Sequence, residues 1–368
     1  MRIPLSTVVR EWGRIGLIGF GGPPAHVALL RELMLDRRGW MTAREFEDAN
    51  AACQLLPGPA STQMCIYCAR RVAGNAGALV GGLAFILPGL ILTLAIAVVA
   101  LQDDPPASVA GIGAGAAAAV VAVVAHAGLQ LGAASLREPG GAPRARAIGY
   151  ATAAAAATVT LGPFVLLVLL ACGLIELTWR RHGAVHALPI ALALGAAAAG
   201  ELPELAWTAL KVGGLSFGGG FVTIPLMQSD ALANDWLTEA QFANAVAYGQ
   251  VTPGPVTHTV ALIGWGAAGL PGALLASVIA FAPSFLFVLL GGDRFDRLRE
   301  RPGPRRFLNG AGPAAIGAIL GAAVLLAEPI HEAWQWAVLA GAALGLALRR
   351  PPILVLLGGA AAGLIFAL

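Results

Sequence analysis

Two short stretches of the chain carry the residues best suited to bind an anion. Residues 54–62 and 250–258 each contain a Pro-Gly-Pro sequence, with a glutamine upstream and hydroxyl-bearing residues downstream. Proline lacks a backbone N–H group and clashes with the preceding helical turn, so a helix must break at each stretch. The helix that begins after the break has free N–H groups and the positive end of its dipole, and both favour negative charge. The sequence therefore predicts an anion site built from the N-termini of half-helices.

Glycine-rich sequences predict two further helix breaks of the same kind. They lie at Phe20-Gly21-Gly22 and at Phe217-Gly218-Gly219. The helix after the first of them begins near His26, which could donate a hydrogen bond or titrate near neutral pH. The alternative is that all four breaks only let helices pack closely. The candidate binding residues from the breaks are Gly21, Gly22, His26, Gln54, Gly58, Ser61, Thr62, Gly218, Gly219, Gln250, Gly254, Thr257 and His258.

One basic residue precedes each glycine-rich break at the same distance. Arg14 stands six positions before Phe20, and Lys211, the only lysine of the chain, stands six positions before Phe217. A cation from each half could balance a dianion, so Arg14 and Lys211 join the candidate binding residues. The alternative is that both side chains extend to opposite membrane interfaces.

The composition is that of a polytopic membrane protein. Of the 368 residues, 58% are hydrophobic and only 12% are charged, whereas a soluble domain carries about a quarter charged residues. Apolar runs at 76–101 and 107–134 are long enough to span a bilayer. A net charge of +3 gives no case for a nucleic-acid partner, and the four cysteines complete no zinc site, so no metal or cofactor is expected. No cleaved signal peptide is expected either.

The breaks recur because the sequence contains an internal repeat. Trp40-Met41-Thr42 matches Trp236-Leu237-Thr238, and both pairs of breaks match as well. The offset between matching residues falls only from 197 to 195 across the segment, which chance does not explain. We therefore divide the chain into a first repeat with one extra span, 1–202, and a second repeat, 203–368.

Each repeat is predicted to begin with two interrupted helices, followed by uninterrupted spans. The uninterrupted spans are predicted near 76–101, 107–134, 145–161, 163–179 and 184–200 in the first repeat and near 270–291, 306–328, 332–348 and 352–367 in the second. The interrupted helices cover 5–37 and 43–73 in the first repeat and 203–232 and 239–267 in the second. Each arm has about 15 residues and a length of about 22 Å. An arm is therefore too short for the hydrocarbon core of a bilayer, which is about 30 Å thick. We expect re-entrant hairpins, with strongly tilted broken spans as the alternative.

Loop charges predict that the two repeats are inserted in opposite orientations. Cytoplasmic loops carry an excess of Lys and Arg. The connection at 31–44 has four arginines, whereas its counterpart at 230–239 has three acidic residues and no basic one. The predicted fold is therefore an all-α polytopic membrane protein with two inverted-topology repeats, each starting with two interrupted, re-entrant helices. In secondary transporters with this plan, broken helices meet near the middle of the membrane.

The motifs at the breaks resemble those of a known family. The segments 20–26, 37–40 and 56–59, with second copies at 216–220 and 253–255, strongly resemble the chromate ion transporter family in its fused, two-domain form. The resemblance implies an exporter of chromate in the bacterial cytoplasmic (inner) membrane. The inverted repeats predict that such an exporter works by alternating access. Its expected partners are chromate or a sulfate-like anion and the lipid bilayer, with a homodimer as an open assembly.

Two other functions stay open at this point. A sulfate or other oxyanion porter is the first, because sulfate has nearly the same tetrahedral geometry and charge as chromate. A membrane-embedded enzyme is the more remote alternative, since the sequence has no H-E-x-x-H and no intramembrane aspartate pair. We therefore expect a transporter and not an enzyme.

Overall fold

The protein is all-helical throughout the part of the chain that the computed structural model describes. That part comprises residues 3–102, 105–136, 141–178, 201–216, 220–291 and 302–367. The helices that are long and apolar enough to cross a membrane are Ala60–Ala100, Ala107–Ser135, Val256–Gly291 and Gly303–Leu325. The prediction of an all-α, multi-pass membrane protein is confirmed. The span predicted near 184–200 lies outside the described residues.

The first half begins with four helices that contain the predicted breaks. These are α1 (Leu5–Ile18), α2 (Pro23–Arg31, continued by a π-helical turn to Arg37), α3 (Ala43–Leu55) and α4 (Ala60–Ala100). Non-helical residues separate α1 from α2 and α3 from α4, where the sequence predicts them, and α4 has a kink at Gly74 with φ 71°. The helices that follow are α5 (Ala107–Ser135), α6 (Arg144–Leu161) and α7 (Val165–Thr178).

The second half begins with the same series of helices. These are α8 (Glu201–Leu215), α9 (Thr223–Ala233), α10 (Glu239–Val251) and α11 (Thr259–Gly291), with a 3-10 turn at Val256–His258 leading into α11. The kink in α11 includes Gly269, which is the repeat equivalent of Gly74 at the offset of 195. The chain then forms α12 (Pro302–Leu325), α13 (Ala333–Ala347) and α14 (Pro352–Ala367).

Helix α3 and the first arm of α4 form a hairpin. Thr42 caps α3 in a capping box with Glu45, whose carboxylate accepts the Thr42 N–H at 2.8 Å. The same carboxylate accepts a hydrogen bond from Arg71 at 3.0 Å, and Arg71 lies at the end of the first arm of α4. The two outer ends of the hairpin therefore meet. We call this end the base and the Pro-Gly-Pro end the tip.

Helix α10 and the first arm of α11 form an equivalent hairpin. Thr238 and Gln241 repeat the capping box, with the Gln241 side chain accepting the Thr238 N–H at 2.9 Å. At the end of the first arm, a Cβ on Gly266 would lie 2.5 Å from the Trp236 carbonyl oxygen, so the two outer ends are in contact here as well. Both repeats thus contain a short helical hairpin with its Pro-Gly-Pro sequence at the tip.

Helices α4 and α11 continue past their kinks, and we call the part after each kink the second arm. The two second arms run antiparallel and cross between the two halves. Gly82 lies against the Phe285 ring, whereas Leu90 packs with Ala273, so residue numbers rise along one arm as they fall along the other. Val288, near the end of α11, is buried in the core formed by the first-half helices. Each arm therefore begins at the base of its own hairpin and ends beside the other repeat.

Glycines allow α5 and α14 to pack backbone against backbone. A Cβ on Gly115 would lie 2.1 Å from the Gly359 carbonyl oxygen, and one on Gly363 would lie 2.0 Å from the Gly111 carbonyl oxygen. Each helix thus contributes a Gly-x-x-x-Gly pair to the contact. Such pairs drive helix association in membranes, where close approach replaces the hydrophobic effect. This contact joins the first half of the chain to its last helix.

A leucine in place of Gly359 is expected to lower the midpoint of thermal unfolding. A Cβ at this position would lie 2.6 Å from the Gly115 oxygen and 2.7 Å from the Ala119 Cβ, and overpacking costs about 1–3 kcal/mol. Gly358→Leu is the matched control, because a Cβ at Gly358 meets nothing within 4 Å. Thermal unfolding of the purified protein in detergent measures both variants. Equal midpoints would contradict the close contact between α5 and α14.

Candidate functional site

The described breaks from both repeats meet at one place. The Gly254 N–H, at the tip of the second hairpin, donates to the carbonyl of Gly19, the residue that ends α1, at 3.0 Å. The two glycine-rich breaks converge on Val256, because a Cβ on Gly22 would lie 3.5 Å from this side chain and one on Gly220 would lie 3.3 Å from it. Backbone from the two glycine-rich breaks therefore lies beside the start of the helix that follows the second Pro-Gly-Pro sequence.

The tip of the first hairpin is narrow. Gly58 has φ +112°, a conformation that residues with a side chain rarely adopt. A Cβ on Gly58 would lie 2.8 Å from both the Gln63 amide nitrogen and the Gly213 carbonyl oxygen, and 3.6 Å from the Ser284 hydroxyl. The tip is thus enclosed by α4 itself, by the last turn of α8 and by α11.

His26 is buried and joins two elements of the predicted site. Its Nε2 lies 3.0 Å from the Gly19 carbonyl oxygen, and its Nδ1 lies 3.3 Å from the Ser61 hydroxyl. Because a carbonyl can only accept, Nε2 carries the proton in this bond and Nδ1 accepts from Ser61. The ring also meets Phe85 edge-on, with centroids 5.1 Å apart. His26 therefore fixes the start of α4 relative to the end of α1.

His258 is also buried, but its ring nitrogens lack hydrogen bonds like those of His26. The ring meets Phe281 edge-on at 5.5 Å, and neither nitrogen makes a hydrogen bond of normal geometry to a described residue, although backbone groups of Ile86 and Pro253 lie near the ring. The backbone passes close to the ring, since a Cβ on Gly89 would lie 2.6 Å from the His258 Cε1 and one on Gly254 would lie 3.0 Å from it. The two histidines thus have different environments.

The tips also contain a group of buried polar atoms that have no hydrogen-bond partner within the described part of the chain. These atoms are Thr62 Oγ1, Gln63 Oε1, Gln250 Nε2, Thr257 Oγ1, Ser284 Oγ and both ring nitrogens of His258. Leaving a buried polar group unpaired costs about 1–3 kcal/mol, so a cluster of them indicates a place for a ligand or for water. Several donors beside two half-helix N-termini are suited to bind an anion with several oxygen atoms.

Sequence comparisons show which family the chain belongs to. Residues 6–177 and 203–364 both match the sequence model of the chromate transporter family.

The chain belongs to the chromate transporter family.

The resemblance seen in the motifs is therefore confirmed. The chromate transport protein of Cupriavidus metallidurans is 31% identical over 88% of this chain and 83% of its own length. The probable chromate transport protein of Synechococcus elongatus is 28% identical, with 98% and 95% covered, and the chromate transport protein of Pseudomonas aeruginosa is 29% identical, with 87% and 80% covered. No solved structure matches the chain.

In this chromate transporter family member, the two predicted cations have different environments. Arg14 is exposed and lines a surface pocket with Glu11. Lys211 is buried and donates to the carboxylate of Asp230, which also accepts a hydrogen bond from Thr208. The repeat relates the two positions in sequence but not in surroundings. Their role as counter-charges for an anion stays a prediction.

The remaining predicted residues lie at different distances from the tips. Gln54 and Gly21 are exposed, and Gln250 is half-buried. Gly218 and Gly219 lie outside the described residues. In the described part of this family member, no three His, Cys, Asp or Glu side chains come together as metal ligands do.

Sequence reasoning did not identify Ser284 as a site residue. Its only signal is a hydroxyl that directly follows Pro283 in an otherwise apolar helix, where Pro283 matches Pro88 of the first repeat. The residue after Pro88 is Gly89, so comparison of the repeats gives no hydroxyl at this position. The contact with Gly58 becomes visible only once α11 crosses the tip of the first hairpin.

Proposed function

We propose that the protein is a secondary transporter that exports chromate across the bacterial cytoplasmic membrane. The observation that carries the proposal is the hydrogen bond that joins Gly254, at the second Pro-Gly-Pro tip, to Gly19 at the end of α1 in a member of the chromate transporter family. The N-termini of α4 and α11 reach this region with unpaired hydroxyls. In the proposed mechanism the oxyanion binds there, and the two repeats rock against each other to alternate access from the two sides.

The same proposal includes opposite membrane orientations for the two repeats. Support comes from the antiparallel second arms of α4 and α11 and from the charges at the two hairpin bases. Arg37 and Arg38 surround the buried Glu11 near the first base, whereas Asp235 and Glu239 lie at the second. The arginines at the base of the first hairpin would then lie on the cytoplasmic side, and the acidic residues at the base of the second hairpin would lie outside. This arrangement fits the positive-inside rule. The tips would then meet within the membrane as re-entrant hairpins.

The residues proposed to bind the anion lie mainly at the two tips. Ser61 and Thr62 begin α4, Thr257 and His258 lie in the turn that leads into α11, and all four are buried. Gly58 and the other break glycines let the backbone approach the ligand closely. Breaking the Gly254–Gly19 hydrogen bond would release the second tip from the end of α1, so we assign this bond to one of the alternating states. The division into 1–202 and 203–368 and a homodimeric assembly stay predictions.

Transport assays in proteoliposomes test the proposed function. Chromate flux should rise when the membrane potential favours anion movement, since each charge gains about 2.3 kcal/mol per 100 mV. Empty liposomes are the control, and unlabelled sulfate is added as a competitor. Chromate flux no greater than that of empty liposomes would contradict the proposal. Sulfate flux well above chromate flux would replace it with a sulfate porter.

A further inference from the structure

One polar atom at the first tip can only accept a hydrogen bond. The Gln63 side chain is fully buried, and its amide nitrogen donates to the Pro57 carbonyl at 2.7 Å. Because a carbonyl is only an acceptor, this bond fixes which end of the amide faces Pro57. The amide oxygen must therefore point elsewhere, and among the described residues it has no hydrogen-bond partner. A bare oxyanion offers only acceptors and cannot satisfy it.

The other unpaired side chains at this tip are hydroxyls. Ser284 is fully buried, and its hydroxyl lies beside Gly58 together with the Gln63 amide. Thr62, next to Gln63 in the chain, is fully buried with an unpaired Oγ1. Hydroxyls can donate to the oxygens of an anion. The complete set is thus several donors and one obligate acceptor, which matches a tetrahedral oxyanion that carries one hydroxyl group.

The charges near this tip also disfavour a full dianion. Lys211 is engaged by Asp230, and Arg14 is exposed, so neither supplies an uncompensated positive charge at the tip. The carbonyl of Gly213, in the last turn of α8, faces Gly58. The negative end of the α8 dipole therefore offsets the positive end of the α4 dipole at this point. The cost of taking an ion out of water rises with the square of its charge, so a monoanion is far less penalised.

We propose that the species bound at the first tip is the singly protonated oxyanion, hydrogen chromate in the proposed function on which this inference rests. Its three unprotonated oxygens accept from Thr62, Ser284 and the backbone N–H groups at the start of α4. Its hydroxyl donates to the Gln63 amide oxygen. Sulfate, which stays a dianion near neutral pH, lacks this donor, and perchlorate has the right charge and shape but no hydroxyl.

The charge moved with each chromate ion tests the inference without any variant. Proteoliposomes are given the same pH on both sides, and the integrated current is compared with the chromium taken up. One elementary charge per chromium is expected. The flux should rise by up to about tenfold for each pH unit by which the pH is lowered, because chromate then takes up its first proton. Two charges per chromium and a flux that does not change with pH would overturn the proposal, and would indicate a dianion bound through water.

Gln63→Met removes the acceptor while keeping the length of the side chain. The KM for chromate at low pH is expected to rise about tenfold, as for one lost buried hydrogen bond, and inhibition by perchlorate should change little. The matched control is Gln102→Met, because Gln102 also donates to a backbone carbonyl, that of Val99 at 3.0 Å, but is exposed. Ser284→Ala is the second variant in case Gln63→Met does not fold.

The outcomes separate this inference from the proposed function. No chromate flux under any condition contradicts transport itself. Chromate flux with two charges per chromium, or a Gln63→Met variant whose KM equals that of Gln102→Met, leaves transport standing and contradicts only the protonated substrate. In the unmodified protein, perchlorate that binds as tightly as hydrogen chromate would show that the charge of the anion, and not its hydroxyl, is recognised.

Discussion

Gly58→Ala is expected to reduce chromate flux at least about tenfold, because a Cβ at this position would clash with the backbone of α8 and with the Gln63 side chain. The new atom would lie 2.8 Å from the Gly213 carbonyl oxygen, and Gly213 cannot move away, since it packs against the Ala280 carbonyl. The positive φ of Gly58 adds strain of about 1–3 kcal/mol for alanine. The tip must therefore widen, which displaces the Gln63 and Ser284 side chains together. Flux in proteoliposomes at matched protein content measures the effect.

Gly39→Ala is the matched control for this prediction. Gly39 also has a positive φ, of 58°, but a Cβ there meets nothing within 4 Å. The control thus carries the conformational cost without the steric one, and its flux should stay within about twofold of the unmodified protein, as for a surface substitution away from the site. Thermal unfolding midpoints show whether either variant has lost its fold. A well-folded Gly58→Ala protein with unchanged flux would place the anion pathway elsewhere.

Much of the architecture could be predicted from the sequence because helix breaks and span lengths are local properties. Proline restricts the backbone at its own position and glycine allows conformations closed to other residues, so the Pro-Gly-Pro sequences at 57–59 and 253–255 mark non-helical turns without reference to the rest of the fold. The spans predicted near 145–161, 332–348 and 352–367 match α6, α13 and α14 to within a few residues. The internal repeat additionally showed which helix breaks in the second half correspond to those in the first half.

Contacts between the halves could not be predicted from the sequence in the same way. The Gly254–Gly19 hydrogen bond joins backbone atoms, which leave no trace in residue types. The partners of Lys211 depend on how α8 packs beside α9, and the repeat counterpart Arg14 gave no guide because Leu33 stands where Asp230 would match. Which side chains face each other across two elements depends on how those elements pack. The spacing of residues within one element does not determine these contacts.

The buried ion pair between Lys211 and Asp230 gives the other large expected effect. Asp230→Asn leaves Lys211 buried without its carboxylate, and breaking a buried pair by removing one partner costs about 3–5 kcal/mol. The free energy of unfolding, from denaturant titration in detergent, should fall by this amount. The control is Glu47→Gln, since Glu47 pairs with Arg31 at 3.5 Å on the exposed surface and such pairs contribute at most about 1 kcal/mol.

The double variant Lys211→Met/Asp230→Leu separates the structural role of the pair from a role in transport. Replacing both charges by apolar groups removes the uncompensated charge, so the stability lost in Asp230→Asn should be largely recovered. If Lys211 supplies charge to the anion, the stable double variant loses chromate flux. If the pair only holds α8 against α9, flux returns with stability. An Asp230→Asn protein as stable as the unmodified chain would contradict the buried pair itself. Chromate flux through the double variant decides whether Lys211, the cation predicted from the repeat, acts on the substrate.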